Sequence, residues 1–382
     1  MNFESLTPAE KIVEIMNRIY NCGMTTVSGG NLSIRDQNGT IWITPSGTDK
    51  GELHPCDIVQ IDKDGVQTGN HPPSSELPFH LEIYRRRPDI GAVLHAHPPA
   101  LVSFTVVQKL PGLSAYPFVK YKCGNVATVK FAPPGSLELS AAVAEKFERG
   151  ADIAFLENHG VITAAPDLHT AFTLLEAINL CAKIEINAMT IGHTPISLSP
   201  KHMAVYMLNV ASPMREFSEH TITDAEQKAR EKLCALVRRG YKRRFFTGEQ
   251  GTYSMRLDDS SFIITPCDKD RAYLEPDDLV LIKDGRRESG KNPSRSADLH
   301  ARIYKNNSEI NSVLIAQPAN IMTFAVTDAE FDTRLVSESY IILRDVKKIP
   351  FGASIMQPEM FAREANLKNP ACIVENDCII VC

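Results

Sequence analysis

Three stretches of this chain recur about 220 residues further on. Ser28-Gly-Gly-Asn-Leu-Ser-Ile-Arg35 lines up with Glu249-Gln-Gly-Thr-Tyr-Ser-Met-Arg256. Leu53-His-Pro-Cys-Asp-Ile-Val59 lines up with Leu274-Glu-Pro-Asp-Asp-Leu-Val280, and His80-Leu-Glu-Ile-Tyr84 with His300-Ala-Arg-Ile-Tyr304. A period this long is not that of a solenoid, whose units are far shorter. It means two copies of one domain in tandem, and 382 residues suit two domains of ordinary size. Pro195, Pro200 and Pro213 crowd the stretch between two helical patterns. The junction is therefore expected near residue 215, giving domains over 1–215 and 216–382.

Within copy one, Ile12, Ile15, Met16 and Ile19 keep helical spacing, and the pattern stops at Gly23. Asn31–Arg35 and Thr40–Thr44 flank an Asn38-Gly39 turn signal and are expected to form a hairpin. Ile58–Ile61 reads as a third strand, Ser75–Arg86 as a helix and Ala92–Ala96 as a buried strand. The β-prone run from Val126 to Phe131 precedes a helix over Ser136–Glu148. Ile153–Leu156 and Val161–Ala164 make another pair of strands around the turn Glu157–Gly160, and Leu168–Ile191 is a long helix. Hairpins mixed with helices, rather than strict alternation, predict an α/β fold around a largely antiparallel sheet, present twice.

The formal net charge is −5 and no basic tract interrupts it, which argues against a nucleic-acid partner. No apolar run is long enough to span a bilayer, and Glu4, Pro8 and Glu10 stand where a signal peptide needs an apolar core. The nine cysteines are scattered, odd in number and without a C-x-x-C pair. Reduced thiols in a cytoplasmic protein, away from membranes, are the expectation.

The chemistry concentrates in copy one. His95-Ala96-His97 closes an apolar strand, and side chains two apart on a strand share a face. Two imidazoles so placed can meet one ion, although such a pair fits a polar pocket equally well. His159, in the tight turn Glu157-Asn-His-Gly160, offers a third donor, and three histidines with an open position define a catalytic metal site. Ser74 can cap the following helix, which places Glu76 in its first turn, where a carboxylate is also favoured for purely structural reasons. Ser28-Gly-Gly-Asn31 and Thr44-Pro-Ser-Gly-Thr48 are turns of the kind that expose N–H and hydroxyl donors, as an anion nest needs and as ordinary turns also do.

Together, Gly30-Asn-Leu-Ser-Ile-Arg35, Ile43-Thr-Pro-Ser-Gly47, Ser74-Ser-Glu76, His95-Ala-His-Pro98, Gly135-Ser-Leu-Glu-Leu139 and Asn158-His-Gly160 resemble the class II aldolase/adducin family, in family order over residues 8–208. The resemblance implies a three-layer α/β/α domain. It implies a divalent metal, zinc first, on His95, His97 and His159, with Glu76 as the acid/base. It also implies a small phosphorylated sugar as substrate, its phosphate held by Asn31, Ser46, Gly47, Ser74 and Ser75. The reaction expected from it is retro-aldol cleavage by a metal-dependent lyase. The same resemblance leaves open 4-epimerisation of a pentulose phosphate, dehydration, or an adducin-like scaffold without activity. It implies a homo-oligomer with sites between neighbours. Family aldolases take a tyrosine proton donor from a neighbour's tail. The corresponding residues 209–216 read Asn-Val-Ala-Ser-Pro-Met-Arg-Glu, leaving Tyr206, Tyr116 and Tyr121 as alternatives.

Copy two departs from copy one at every chemical position. Glu76 corresponds to Ser296, His95 to Ile315, His97 to Gln317 and His159 to Asp377. Its surviving matches, such as Pro266, Asp278, Pro318 and Asn376, are turn and loop residues. Copy two is thus expected to keep the fold and to bind no catalytic metal.

Overall fold

Thr7 starts the first helix for a local reason. Its hydroxyl accepts from Glu10 N while the Glu10 carboxylate accepts from Thr7 N, so two orphan donors are satisfied at once. The helix, α1 (Pro8–Asn21), buries Ile12, Ile15, Met16 and Ile19 on one face. The computed structural model describes residues 3–208, 213–218, 220–267 and 269–382, with Glu364 as backbone only. The chain divides into two compact units. The first holds Met1–Pro111 and Val119–Lys183; the second holds Gly112–Phe118 and Ile184–Cys382.

The first unit is built on eight strands: β1 (Asn31–Arg35), β2 (Ile41–Ile43), β3 (Val59–Ile61), β4 (Gln67–Thr68), β5 (Ala92–Ala96), β6 (Val126–Val129), β7 (Ile153–Leu156) and β8 (Val161–Ala165). Their order across the sheet is β4-β3-β2-β1-β5-β8-β7-β6. All neighbours are antiparallel except β6 and β7. One face carries α2 (Leu77–Arg86) and, after the short α3 (Pro99–Val106) and α4 (Pro117–Lys122), α5 (Leu137–Glu148). Phe79 and Ile83 of α2 and Leu139, Val143 and Phe147 of α5 close over Ile43, Val59, Val93, Ala154 and Ile162. On the opposite face lie α1 and α6 (Leu168–Thr190): Arg18 of α1 stacks on Phe172 of α6, and Thr163 of β8 ties α6 to the sheet by donating to Ala171 O. Strand β5 is central and buried on both faces, which is why Ala92–Ala96 is apolar without alternation except at His95.

Sequence reading missed α3. Pro98-Pro99 looks like a full stop after the strand, but Pro99 has no N–H to lose at the first helical position and opens a helix instead.

After α7 (Pro200–Met207) and β9 (Glu216–Phe217), the second unit repeats the plan. It contains α8 (Asp224–Lys242), β10 (Thr252–Arg256), β11 (Ser261–Ile264), β12 (Val280–Lys283), β13 (Arg286–Glu288), α9 (Ala297–Asn306), β14 (Ser312–Ala316), α10 (Ala319–Ala325), α11 (Ser337–Leu343), β15 (Lys347–Ile349), α12 (Ala353–Met356), α13 (Pro358–Glu364), β16 (Ala371–Val374) and β17 (Cys378–Val381). The strand order is β15-β16-β17-β14-β10-β11-β12-β13-β9. Helices α9 and α13 cover one face and α8 the other. The three-layer fold with a largely antiparallel sheet is present twice, and the registers match: Asn31 stands opposite His95 as Thr252 stands opposite Ile315. Among the described residues, no helix is long and apolar enough to cross a membrane.

Candidate metal centre

His95 enters the site from the middle of the sheet and is wholly buried. Its Nδ1 lies 3.1 Å from Val161 O. A carbonyl only accepts, so Nδ1 carries the proton and Nε2 presents a lone pair. That Nε2 is 2.9 Å from Nε2 of His97, the next residue on the same side of the strand. His159 arrives from the β7–β8 turn, fixed by its own N–H donating to Leu156 O, and its ring stacks on His97 at 5.1 Å. The three potential ligand nitrogens lie within 4.8 Å of one another. Burial first, and the neighbouring imidazoles second, hold His95 and His97 down at about 3. Both are therefore neutral near pH 7, the form that ligates metal.

Glu76 closes the cluster. It is the residue just before α2, with φ −97° and ψ 7°, rather than a member of the first turn. Ser74 is correspondingly not the cap of that helix; its hydroxyl accepts weakly from Glu76 N at 3.3 Å. This geometry turns the Glu76 carboxylate inward. Oε2 accepts from Asn31 Nδ2 at 2.8 Å and stands 3.3 Å from His95 Nε2. Oε1 stands 3.8 Å from His159 Nε2, buried and without a hydrogen-bond partner. A buried carboxylate oxygen left unpaired is costly. Beside three lone-pair nitrogens, a cation is the group that fits it.

Asn31, one of the expected phosphate contacts, has both ends of its amide engaged elsewhere. Its Oδ1 accepts from His80 Nε2 at 2.6 Å, Ser33 Oγ lies 2.7 Å from His80 Nδ1, and Tyr84 Oη lies 2.7 Å from Ser33 Oγ. Since Asn31 Oδ1 can only accept, His80 donates from Nε2 and accepts from Ser33, which accepts from Tyr84. The result is a buried line, Tyr84–Ser33–His80–Asn31–Glu76, that fixes the carboxylate. Burial pushes His80 down to about 3, so its imidazole is neutral near pH 7.

Two glycines make the cluster possible by having no side chain. A Cβ on Gly29 would lie 2.9 Å from His97 Nδ1, and one on Gly160 would lie 2.5 Å from His97 Cδ2. The expectation that Ser28-Gly-Gly-Asn31 is an anion nest thus has a more immediate physical content: the backbone must pass close under the imidazoles.

The remaining expected residues gather on the adjoining turns. Ser46 N donates to Pro72 O, Ser74 N donates to Thr44 O, and Pro45 bridges Pro73, so the two turns run side by side. Gly47 and Ser75 are exposed, Ser46 is half-buried and Ser74 buried. Sequence reasoning missed Lys50, which lies beneath the Thr44–Thr48 turn with 1% exposure. Its Nζ donates to Pro45 O at 2.7 Å and to Thr48 Oγ1 at 3.3 Å. Burial lowers its pKa to about 8, which leaves most of the positive charge in place at pH 7. A lysine in a turn carries no sequence signature of burial. Tyr116, an alternative for the proton donor, is folded into the second unit, 2% exposed, with its hydroxyl accepting from Gln250 Nε2.

The family model for the class II aldolase and adducin N-terminal domain matches residues 10–186 and again 231–382. A 5-deoxy-D-ribulose 1-phosphate aldolase from Bacillus thuringiensis is 36% identical over 187 residues, 48% of this chain and 86% of the relative. An L-fuculose phosphate aldolase from Methanococcus maripaludis is 35% identical over 175 residues, 46% of this chain and 93% of the relative. Among solved structures, an L-fuculose 1-phosphate aldolase is 30% identical with a TM-score of 0.46, covering 52% of this chain and 93% of that one.

Proposed function

Because this chain belongs to the class II aldolase/adducin family, with both of its repeats matching the family model, we propose that it is a metal-dependent lyase cleaving a small phosphorylated keto-sugar by retro-aldol chemistry. The observation that carries the proposal is the buried, partnerless Glu76 Oε1, 3.8 Å from His159 Nε2 at the edge of the three-histidine cluster. His95, His97 and His159 would hold the ion, zinc being well suited to imidazole ligation. A divalent ion bound there would supply Lewis-acid stabilisation of the negative charge that develops as the carbon–carbon bond breaks.

The chain's own residues account for the rest. Glu76 moves one proton at its carboxylate. Asn31 orients that carboxylate from below. Ser46, Gly47, Ser74 and Ser75 receive the phosphate over the buried charge of Lys50 and so supply the remote binding that orients the reacting carbons, while Asn31, expected among them, has its amide committed to His80 and Glu76. The domains we propose are 1–215, which carries this site, and 216–382, which lacks every ligand. A homo-oligomer that completes the site belongs to the same reading.

The test is a screen of ketose 1- and 5-phosphates with added metal, reading dihydroxyacetone phosphate and aldehyde release. Release that depends on metal and is lost in Glu76→Gln supports the reading. Turnover to an isomer or to a dehydrated product would reassign the site to epimerisation or dehydration. Absence of stoichiometric metal, unchanged in His95→Ala, would favour a scaffold.

A further inference from the structure

One loop of the first unit connects the turn that carries His159 with the turns expected to hold phosphate. Residues 130–135 leave the end of β6 and lead into α5. Beside their start stands Glu157, the first residue past β7 and two before His159. Strands β6 and β7 run parallel with Val129 opposite Leu156, so their ends lie side by side. Glu157 N donates to Val129 O at 3.0 Å, and the Glu157 carboxylate reaches across to the loop. Its Oε1 accepts from Lys130 Nζ at 2.9 Å and its Oε2 from Phe131 N at 3.3 Å. Ala132 is buried in the core. At the far end Gly135 has φ of 77°, and a Cβ there would lie 3.1 Å from Ser75 O. The loop therefore runs from the ligand turn to the turn of Ser75.

The second unit separates what belongs to the fold from what does not. Glu375 matches Glu157, and its N–H donates to Ile349 O at 2.9 Å in the same way. Ile349 likewise stands opposite Val374 on the parallel strands β15 and β16. The loop differs. Gly352, the counterpart of Gly135 with φ of 80°, comes three residues after Ile349, whereas Gly135 comes six after Val129. Pro350 takes the place of Lys130. Among the described residues, no hydrogen bond joins the Glu375 carboxylate to this shorter loop. The backbone bond kept in both copies is part of the fold. The carboxylate clamp and the three further loop residues occur only in the copy that has the histidines, and so go with the site.

We infer that Glu157 is a positioning residue for substrate: by holding Lys130 and Phe131 it sets the loop that closes the side of the site between the metal ligands and the phosphate turns. The inference rests on the lyase reading for its substrate and names a residue that reading does not use. The Glu157 carboxylate is engaged by the loop and is not among the ligands or the acid/base. Its loss should therefore be felt in binding, to the same degree in the ground state and the transition state. An exposed ion pair such as Lys130–Glu157 contributes little by itself. The bond from Phe131 N is the one that fixes the backbone, because Pro133 and Pro134 give the loop no N–H groups of their own to tie down.

Hydrogen exchange and calorimetry on the metal-loaded full chain, with inorganic phosphate as the probe, test this without turnover. Glu157→Ala should speed amide exchange over residues 130–135 and raise the dissociation constant for phosphate by about 3- to 10-fold, with metal content unchanged. Glu157→Gln keeps an acceptor for Phe131 N and should restore both. Gly135→Ala, at the far end of the loop, should weaken phosphate binding while Phe131 stays protected, and it serves as the test if Glu157→Ala does not fold. In turnover, KM should rise together with the phosphate dissociation constant while kcat stays within about twofold. A wild type that turns over no ketose phosphate would end the lyase reading and leave the exchange and phosphate measurements to decide this one. Unchanged exchange in Glu157→Ala, faster exchange with unchanged phosphate binding, loss of metal along with affinity, or a Gln variant as impaired as the Ala variant would each overturn the inference.

Discussion

A buried tyrosine, serine and histidine run beneath both sheets, and the two lines end differently. In the second unit, Tyr304 Oη and His300 Nδ1 flank Ser254 Oγ at 2.6 and 2.7 Å, as Tyr84 and His80 flank Ser33. In the first unit the line continues through Asn31 to Glu76. In the second, Thr252 takes the place of Asn31 and pairs with Ser294 at 2.7 Å, and His300 Nε2 is left buried without a partner. The three-residue line is therefore part of the fold, and Asn31 is what couples it to the carboxylate. The same lesson holds around the imidazoles. Where His97 becomes Gln317, the obligatory Gly29 becomes Gln250; where His95 becomes Ile315, Gly160 becomes Cys378. Once the rings are gone, the space they demanded is filled.

The largest effect should come from the ligands and the acid. His95→Ala should lose stoichiometric metal, read by elemental analysis, and Glu76→Gln should lower kcat by about 10²–10⁴-fold. Ser296→Ala, the matching change in the second unit, should alter neither. If Ser296→Ala removes activity, the two units are not functionally distinct in the way described.

Exchanging the coupling residue sharpens the comparison. Asn31→Thr leaves Glu76 Oε2 and His80 Nε2 without their partner and should cost about 1–3 kcal/mol in urea unfolding. It should also lower kcat more than it raises KM, since the carboxylate loses its orientation. The reciprocal Thr252→Asn gives His300 Nε2 an acceptor at the expense of the Ser294 contact. Its net effect should be within about 1 kcal/mol, with activity unchanged.

The buried charge gives a smaller effect. Lys50→Met should weaken competition by inorganic phosphate against substrate while metal content stays at the wild-type level. Equal competition in the two proteins would remove Lys50 from the phosphate site.

The pH dependence should be smallest near neutrality. Burial holds both His80 and His300 at about 3 in the folded chain, against 6.5 as the ordinary value. Between those values the unfolded chain binds more protons, so stability falls as pH drops from 6.5 toward 3 and is insensitive to these groups above 6.5. His300→Gln should flatten that slope without touching metal content. His80→Gln should flatten it and also disturb activity, because only His80 is joined to Glu76.

Much of this was legible along the chain. Strand and helix periods, the Asn38-Gly39 turn and the long repeat are local or self-comparing signals, and they place β1, β2, β5 and α1 close to where they lie. The histidines were legible because few other roles explain His-x-His at a strand end with a third histidine in a turn. The pairing of Asn31 with Glu76 and the burial of Lys50 were not, since an amide or an ammonium acquires its role from acceptors brought close by folding: Glu76 lies 45 residues from Asn31, and the Pro45 carbonyl faces Lys50 only once the turn has closed. Gly112–Phe118 shows the limit most clearly. Its sequence position assigns it to copy one, yet it packs in the second unit, because Asn376, Gln250 and an apolar wall satisfy it there. Sequence alone determined that there are two copies and that the three histidines of the cluster belong to only one of them. Only the tertiary structure decided which neighbours orient the acid and which surfaces are left open, because burial and pairing are properties of the space between segments distant in the chain.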